Sequence, residues 1–154
     1  MIEAALFGAG RIGRIHAGNL ARLPGARLKY VADVNQAAAG ELASRHGAKV
    51  ATVDAALADR TIGAVVIASS TDTHADLLLR AAKAGKAIFC EKPVDLDLAR
   101  AVSAAETVER AGVTCLIGFQ RRYDPTFAAL KARLAAGEIG DPEMLVVTLS
   151  LIHI

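Results

Sequence analysis

The sequence contains no tryptophan, and only 4% of its residues are aromatic, although 53% are hydrophobic. Its interior must therefore be built from alanine, valine, leucine and isoleucine, which suits helices packed closely on a parallel sheet. The net charge of +2 is too small to indicate a nucleic-acid partner or an anionic membrane surface. There are only two cysteines, Cys90 and Cys115. Both lie in apolar, strand-like runs and read as buried, reduced thiols of a cytoplasmic protein. No apolar run approaches the roughly 20 residues that a membrane span requires. The first strand-like run starts at residue 2, which leaves no room for a signal peptide. His16, His46 and His153 are scattered without ligand spacing, so no metal site is expected. The serine elbow G-x-S-x-G and the phosphate loop G-x-x-x-x-G-K are both missing, which argues against hydrolase and nucleoside-triphosphatase chemistry.

What is present begins with an apolar run, Ile2 to Phe7, followed by Gly8-Ala9-Gly10-Arg11-Ile12-Gly13 and then by helical periodicity through Arg22. Strand, glycine turn and helix form the context in which G-x-G-x-x-G becomes a dinucleotide signature. Gly8 allows the tight turn, Gly10 leaves room for a diphosphate against bare backbone, and Gly13 lets the helix close on the strand. Exposed amides at the helix start favour an anion there. An acidic residue is required about 20 positions later, at the end of a second strand. Asp33 meets that requirement, closing the run Leu28 to Ala32. Its carboxylate suits the adenine-ribose hydroxyls and repels a 2′-phosphate. Two unit charges about 4 Å apart at an effective dielectric near 20 cost about 4 kcal/mol, so NAD is preferred over NADP.

Further along, helices are expected from Gln36 to His46, after Asp54, from Ala75 to Ala84, from about Leu96 to Arg110 and from about Thr126 to Ala136. Strands are expected at Ala48–Ala51, Gly63–Ala68, Ala87–Cys90 and Val113–Ile117, with a last apolar run from Met144 to Ile154. Asp54 reads as a cap for its short helix, and Ser69 to His74 as the caps of the next one. The alternation implies an α/β, Rossmann-type doubly wound parallel sheet over residues 1–120, with residues 121–154 opening a second domain. Ligands of such a sheet bind outside the carboxyl ends of the strands. The loops that matter are thus Gly8–Gly13, Asp33–Asn35, Ser69–His74, Glu91–Pro93 and Gly118–Tyr123.

These residues, in this order, resemble the Gfo/Idh/MocA family of nicotinamide-dependent oxidoreductases. The specific part of the resemblance is Ile88-Phe89-Cys90-Glu91-Lys92-Pro93 together with Gly118-Phe119-Gln120-Arg121-Arg122-Tyr123-Asp124. Around those motifs the wording is most similar to the inositol-oxidising members. The resemblance implies NAD as cofactor and hydride transfer from a cyclic polyol or sugar hydroxyl, myo-inositol foremost. It implies Lys92 as the catalytic proton acceptor, with Glu91 along the nicotinamide ribose. Cofactor contacts are then expected at Gly8, Gly10, Arg11, Ile12, Gly13, Asp33, Val34, Ser69, Ser70, Thr71, His74, Glu91, Lys92 and Gln120, and substrate contacts at Lys92 and Arg121.

Four residues keep two readings each. Arg11 flanks the phosphates or is a solvated first-turn residue. His74 touches the ribose-phosphate side or packs under the Glu91-Lys92-Pro93 loop. Gln120 and Arg121 line the nicotinamide and substrate side or form a salt-bridged linker. The family also carries a second α/β domain that completes the active site and builds a homo-oligomer, so the chain reads as the cofactor half of a longer protein. The ending Leu149–Ile154 departs from the polar continuation the family shows, and an unpaired last strand would invite self-association. The rival function is a non-catalytic NAD-binding or regulatory module of the same family.

Overall fold

The structure is a computed structural model that describes residues 1–148. The chain divides into two compact units, Met1–Gly118 and a second beginning at Phe119. The first unit alternates strand and helix throughout: β1 (Ile2–Phe7), α1 (Arg11–Arg22), β2 (Ala26–Ala32), α2 (Gln36–Arg45), β3 (Lys49–Val50), α3 (Val53–Ala58) and β4 (Ile62–Ile67) come first. They are followed by α4 (His74–Lys83), β5 (Ala87–Cys90), α5 (Leu98–Ala111) and β6 (Cys115–Ile117). Every strand pair is parallel, and the order across the sheet is β3-β2-β1-β4-β5-β6. This is the doubly wound α/β architecture, with its reversal of strand order between β1 and β4.

Strand alternation places neighbouring residues in different cores. Leu6 and Val66 pack with Ala17, Val31 and Leu42 on one face of the sheet. Phe7 and Ile67 pack with Ala75, Leu78 and Ala104 on the other. Both faces of the central strands are apolar, as continuous runs such as Ala64–Ala68 require. Alanine at Ala17, Ala39 and Ala81, each fully buried, lets the helices approach closely.

The register aligns the strand ends. Phe7 pairs with both Ala32 and Ile67, Ile67 with Cys90, and Cys90 with Ile117. The next residue of each strand then bonds across the same row. The Gly8 amide donates to Ala32 O at 2.8 Å, Ala68 to Phe7 O at 2.8 Å, Glu91 to Ile67 O at 2.9 Å and Gly118 to Cys90 O at 2.8 Å. All the loops singled out in the first unit therefore leave the sheet along one edge.

Several local expectations need correction. Thr52, not Asp54, caps α3, its hydroxyl accepting from Ala55 N at 3.1 Å. No side chain caps α4. The Ser69 and Thr73 hydroxyls bond each other at 2.6 Å, and residues Thr71–Thr73 form a 3-10 turn. Cys115 is only half-buried. In the second unit a 3-10 turn (Gln120–Tyr123) precedes α6 (Pro125–Ala135), which Asp124 caps by accepting from the Thr126 and Phe127 amides. Residues 144–148 form no strand, and the rest of the expected last strand lies outside the described residues.

Candidate functional site

The turn from β1 to α1 is closed by two steric constraints. Gly8 has φ +108°, and a Cβ added there would lie 2.4 Å from Ala68 O. A Cβ at Gly13 would lie 1.9 Å from Gly8 O, so α1 starts directly on the turn. A Cβ at Gly10 would meet nothing within 4 Å. Gly10 is also the residue at the head of α1, with no side-chain cap and no acid in the first turn. The first amides of α1 consequently lack an intrahelical or side-chain acceptor and present positive dipole ends to the space above Gly10.

Asp33 follows β2 on the same edge. Its Oδ2 accepts from the Ala9 amide at 2.6 Å, and its Oδ1 from the Asn35 amide at 2.7 Å. One carboxylate thus ties the glycine turn to the loop after β2. Two clefts meet at these groups. One, of about 280 Å³, is lined by Gly8, Gly10, Arg11, Ile12, Asp33, Ser69 and Ser70. The other, of about 400 Å³, shares Gly8, Asp33, Ser69 and Ser70 and extends past Val34 and Thr52. Val34 stands fully exposed at its rim. Arg11 is exposed yet borders the first cleft, so the cation stands beside the open amides.

The second group of residues follows β5. Glu91 is half-buried and accepts, or shares a proton, at 2.8 Å from His16 Nε2 of α1. Lys92 is exposed and makes no hydrogen bond or ion pair among the described residues. The Lys92–Pro93 peptide bond is cis. His74 is 2% exposed, with Nδ1 2.8 Å from Pro93 O and Nε2 3.0 Å from Ser69 O. Both ring nitrogens are occupied by backbone, so His74 is the packed residue under the loop. Thr71 opens the 3-10 turn and lies outside the lining of both clefts. Burial pushes the Cys90 thiol up to about 12, helped by the nearby Cys115 and Glu91, which makes it an inert neighbour of this loop.

Gln120 and Arg121 belong to the second unit. Both are exposed, and Arg121 pairs with Asp124 at 3.1 Å while its guanidinium lies 5.0 Å from the Phe127 ring centre.

The residue that the sequence reading sets aside is His16. Its signal is positional: it follows Gly13 by three residues, on the side of α1 that carries buried Gly13 and Ala17 toward the sheet.

Among the described residues, no helix is long and apolar enough to cross a membrane. Comparison with known proteins locates this arrangement. Residues 2–119 match the Gfo/Idh/MocA oxidoreductase family, described by its NAD-binding Rossmann fold. The chain is 46% identical over 147 residues to inositol 2-dehydrogenase of Rhizobium meliloti (strain 1021), covering 96% of this chain and 44% of that protein. It is 42% identical over 144 residues to scyllo-inositol 2-dehydrogenase (NAD(+)) of Bacillus subtilis (strain 168), covering 92% and 42%. Its fold superposes with a TM-score of 0.87, at 29% identity, on scyllo-inositol dehydrogenase from Lactobacillus casei crystallised with NAD(H) and scyllo-inositol. That match covers 92% of this chain and 43% of the other. The chain thus spans less than half the length of the relatives it matches.

Proposed function

Because the chain belongs to the Gfo/Idh/MocA family of oxidoreductases, we propose that it forms the cofactor half of an NAD-dependent dehydrogenase acting on a ring hydroxyl of a cyclic polyol, myo-inositol foremost. The observation that carries the reading is the Asp33 carboxylate fixed 2.6 Å from the Ala9 amide, beside uncapped helix amides and the open space at Gly10. A cradle of that kind takes a diphosphate, and a carboxylate at that place takes the hydroxyls of its sugar.

NAD, when bound, supplies the hydride acceptor. The residues of the chain hold it and meet the polyol from the cofactor side. Gly8, Gly10, Ile12 and Gly13 receive the diphosphate, with Arg11 offsetting its charge at the rim. Asp33 orients the adenine ribose and excludes a 2′-phosphate, and Val34 gives the adenine an apolar edge. Ser69 and Ser70 form the facing wall. Lys92 accepts the hydroxyl proton of the polyol and restrains the alkoxide charge that develops, a general-base role worth about 10²–10⁴ in rate. Glu91 sets the nicotinamide ribose, and Gln120 and Arg121 serve the nicotinamide and substrate side. The chemistry needs no metal ion, and its partner is a small polyol in the cytoplasm.

Calorimetric titration of the 154-residue chain with NAD and NADP tests the reading. Saturable heat with NAD, and binding of NADP at least about tenfold weaker, is the expected result. A folded chain that gives no heat with either coenzyme overturns it.

A further inference from the structure

His16 and Glu91 are separated by 75 residues in sequence, yet His16 Nε2 lies 2.8 Å from Glu91 Oε1. Both side chains are about four-fifths removed from solvent, at 18% and 21% relative exposure. The imidazole is held in turn by Phe89, edge-on, with ring centres 4.9 Å apart and an angle of 60°. On its other side the Glu91 carboxyl lies against Gly118, where an added Cβ would come within 3.2 Å of Cδ and Oε2. The Glu91 amide is fixed to Ile67 O. One carboxylate is therefore gripped by α1 and by the end of β6 while its own backbone is pinned to β4.

Packing alone does not call for this pair. Taking a carboxylate and an imidazole out of water is costly, and two apolar side chains of the same volume generally stabilise such a place as well or better. The groove beside the pair is apolar already, lined by Leu20, Ala64, Val66 and Phe89. What a hydrogen-bonded pair adds is direction: it leaves the Glu91 carboxyl a single rotamer and holds the peptide that leads into Lys92.

We infer that His16 is a positioning residue for the nicotinamide half of the site, acting through Glu91 from the far side of the sheet edge. The inference rests on the reading of the cleft as an NAD site. It assigns His16 no contact with cofactor or substrate. It also divides the labour between the two histidines near the loop, His74 holding the Pro93 carbonyl and His16 the Glu91 carboxyl.

The test compares NAD with ADP, which shares the adenosine diphosphate half but lacks the nicotinamide and its ribose. In the 154-residue chain, His16→Leu is expected to weaken NAD binding about tenfold, the value of a hydrogen bond to a charged group, while ADP affinity stays unchanged. His16→Gln, which keeps an N–H donor at similar reach, is expected to restore NAD affinity to within about threefold of the original. Glu91→Gln should give the same selective loss, and adding His16→Leu to it should cost little more. If His16→Leu does not fold, the pair His16→Gln and Glu91→Gln carries the comparison. Equal losses for NAD and ADP, no loss for either, or fully additive losses in the double variant overturn the inference alone. An unsubstituted chain that binds neither ligand overturns the cofactor reading and this inference with it.

Discussion

The Asp33 carboxylate accepts a hydrogen bond from the Ala9 amide at 2.6 Å, so the residue expected to select the cofactor also fixes the turn expected to hold it. Arg11 and Arg14 border the same cleft as Asp33. Removing the carboxylate charge therefore does more than end a repulsion; it leaves two cations beside the place of a 2′-phosphate. Asp33→Asn is expected to weaken NAD binding about tenfold and to strengthen NADP binding by at least as much, reversing or erasing the preference. Titration of the variant with both coenzymes checks it. An unchanged ratio of affinities removes Asp33 from the selecting role.

Gly10 and Gly13 separate stability from binding. At Gly13 the new methyl group would stand 1.9 Å from a backbone carbonyl that no side-chain rotation can move. Gly13→Ala is expected to cost about 1–3 kcal/mol and to lower Tm by several degrees. At Gly10 the methyl meets nothing in the protein, and φ is −71°, open to any residue. Gly10→Ala is expected to change stability by less than about 1 kcal/mol while reducing NAD affinity, because it fills the space kept for the diphosphate. Thermal melts and titrations of the two variants give opposite patterns if the assignment is right.

This contrast also shows which parts of the molecule were legible in the sequence. The turn at Gly8–Gly13 is readable because backbone geometry demands glycine at fixed spacing, and the sheet because continuous apolar runs of strand length alternate with helical periodicity. The strand-end row follows from parallel pairing alone. The partner of Glu91 was not legible, since His16 reaches it across 75 residues and spacing carries no such information, whereas His74 under the Glu91-Lys92-Pro93 loop was one of its two readings. The caps of α4 failed for a local reason. Ser69 and Thr73 each offer an oxygen that suits a helix amide, but they bond each other instead, and the competition between those options is decided by the 3-10 turn between them.

Lys92 is exposed and free of partners among the described residues, which suits a group that waits for substrate rather than one that supports the fold. Lys92→Ala is accordingly expected to leave Tm unchanged and NAD affinity within about threefold. Its effect on turnover is measurable in a chimera that appends the remaining length of a close relative. There the expected loss in kcat is about 10²–10⁴-fold with myo-inositol as substrate. Unchanged turnover would refute the proton-acceptor role and favour a binding module without chemistry.

The opposite edge of the sheet predicts the acid limit of the fold. Asp59, just before β4, receives Lys29 Nζ at 2.6 Å, the Thr61 amide at 2.8 Å and the Tyr30 hydroxyl at 3.0 Å. Lys86, one of two buried polar or charged residues among the described residues, fixes the same turn by donating to Asp59 O at 2.8 Å and Ile62 O at 2.9 Å. The Lys29 bond, followed by those from Thr61, holds the Asp59 carboxyl well below the usual carboxylate range. A depressed folded-state pKa means that the unfolded chain takes up the proton first as pH falls. The stabilisation is thus complete above the ordinary carboxyl pKa of about 4 and declines below it. Asp59→Asn is expected to lower Tm at pH 7, and the gap from the unsubstituted chain should narrow steadily from pH 4 to pH 2. NAD affinity at pH 7 should not change, since the cluster lies at the end of the strands remote from the glycine turn. A gap that stays constant across that acid range would show that Lys29 and Asp59 contribute through packing and not through charge.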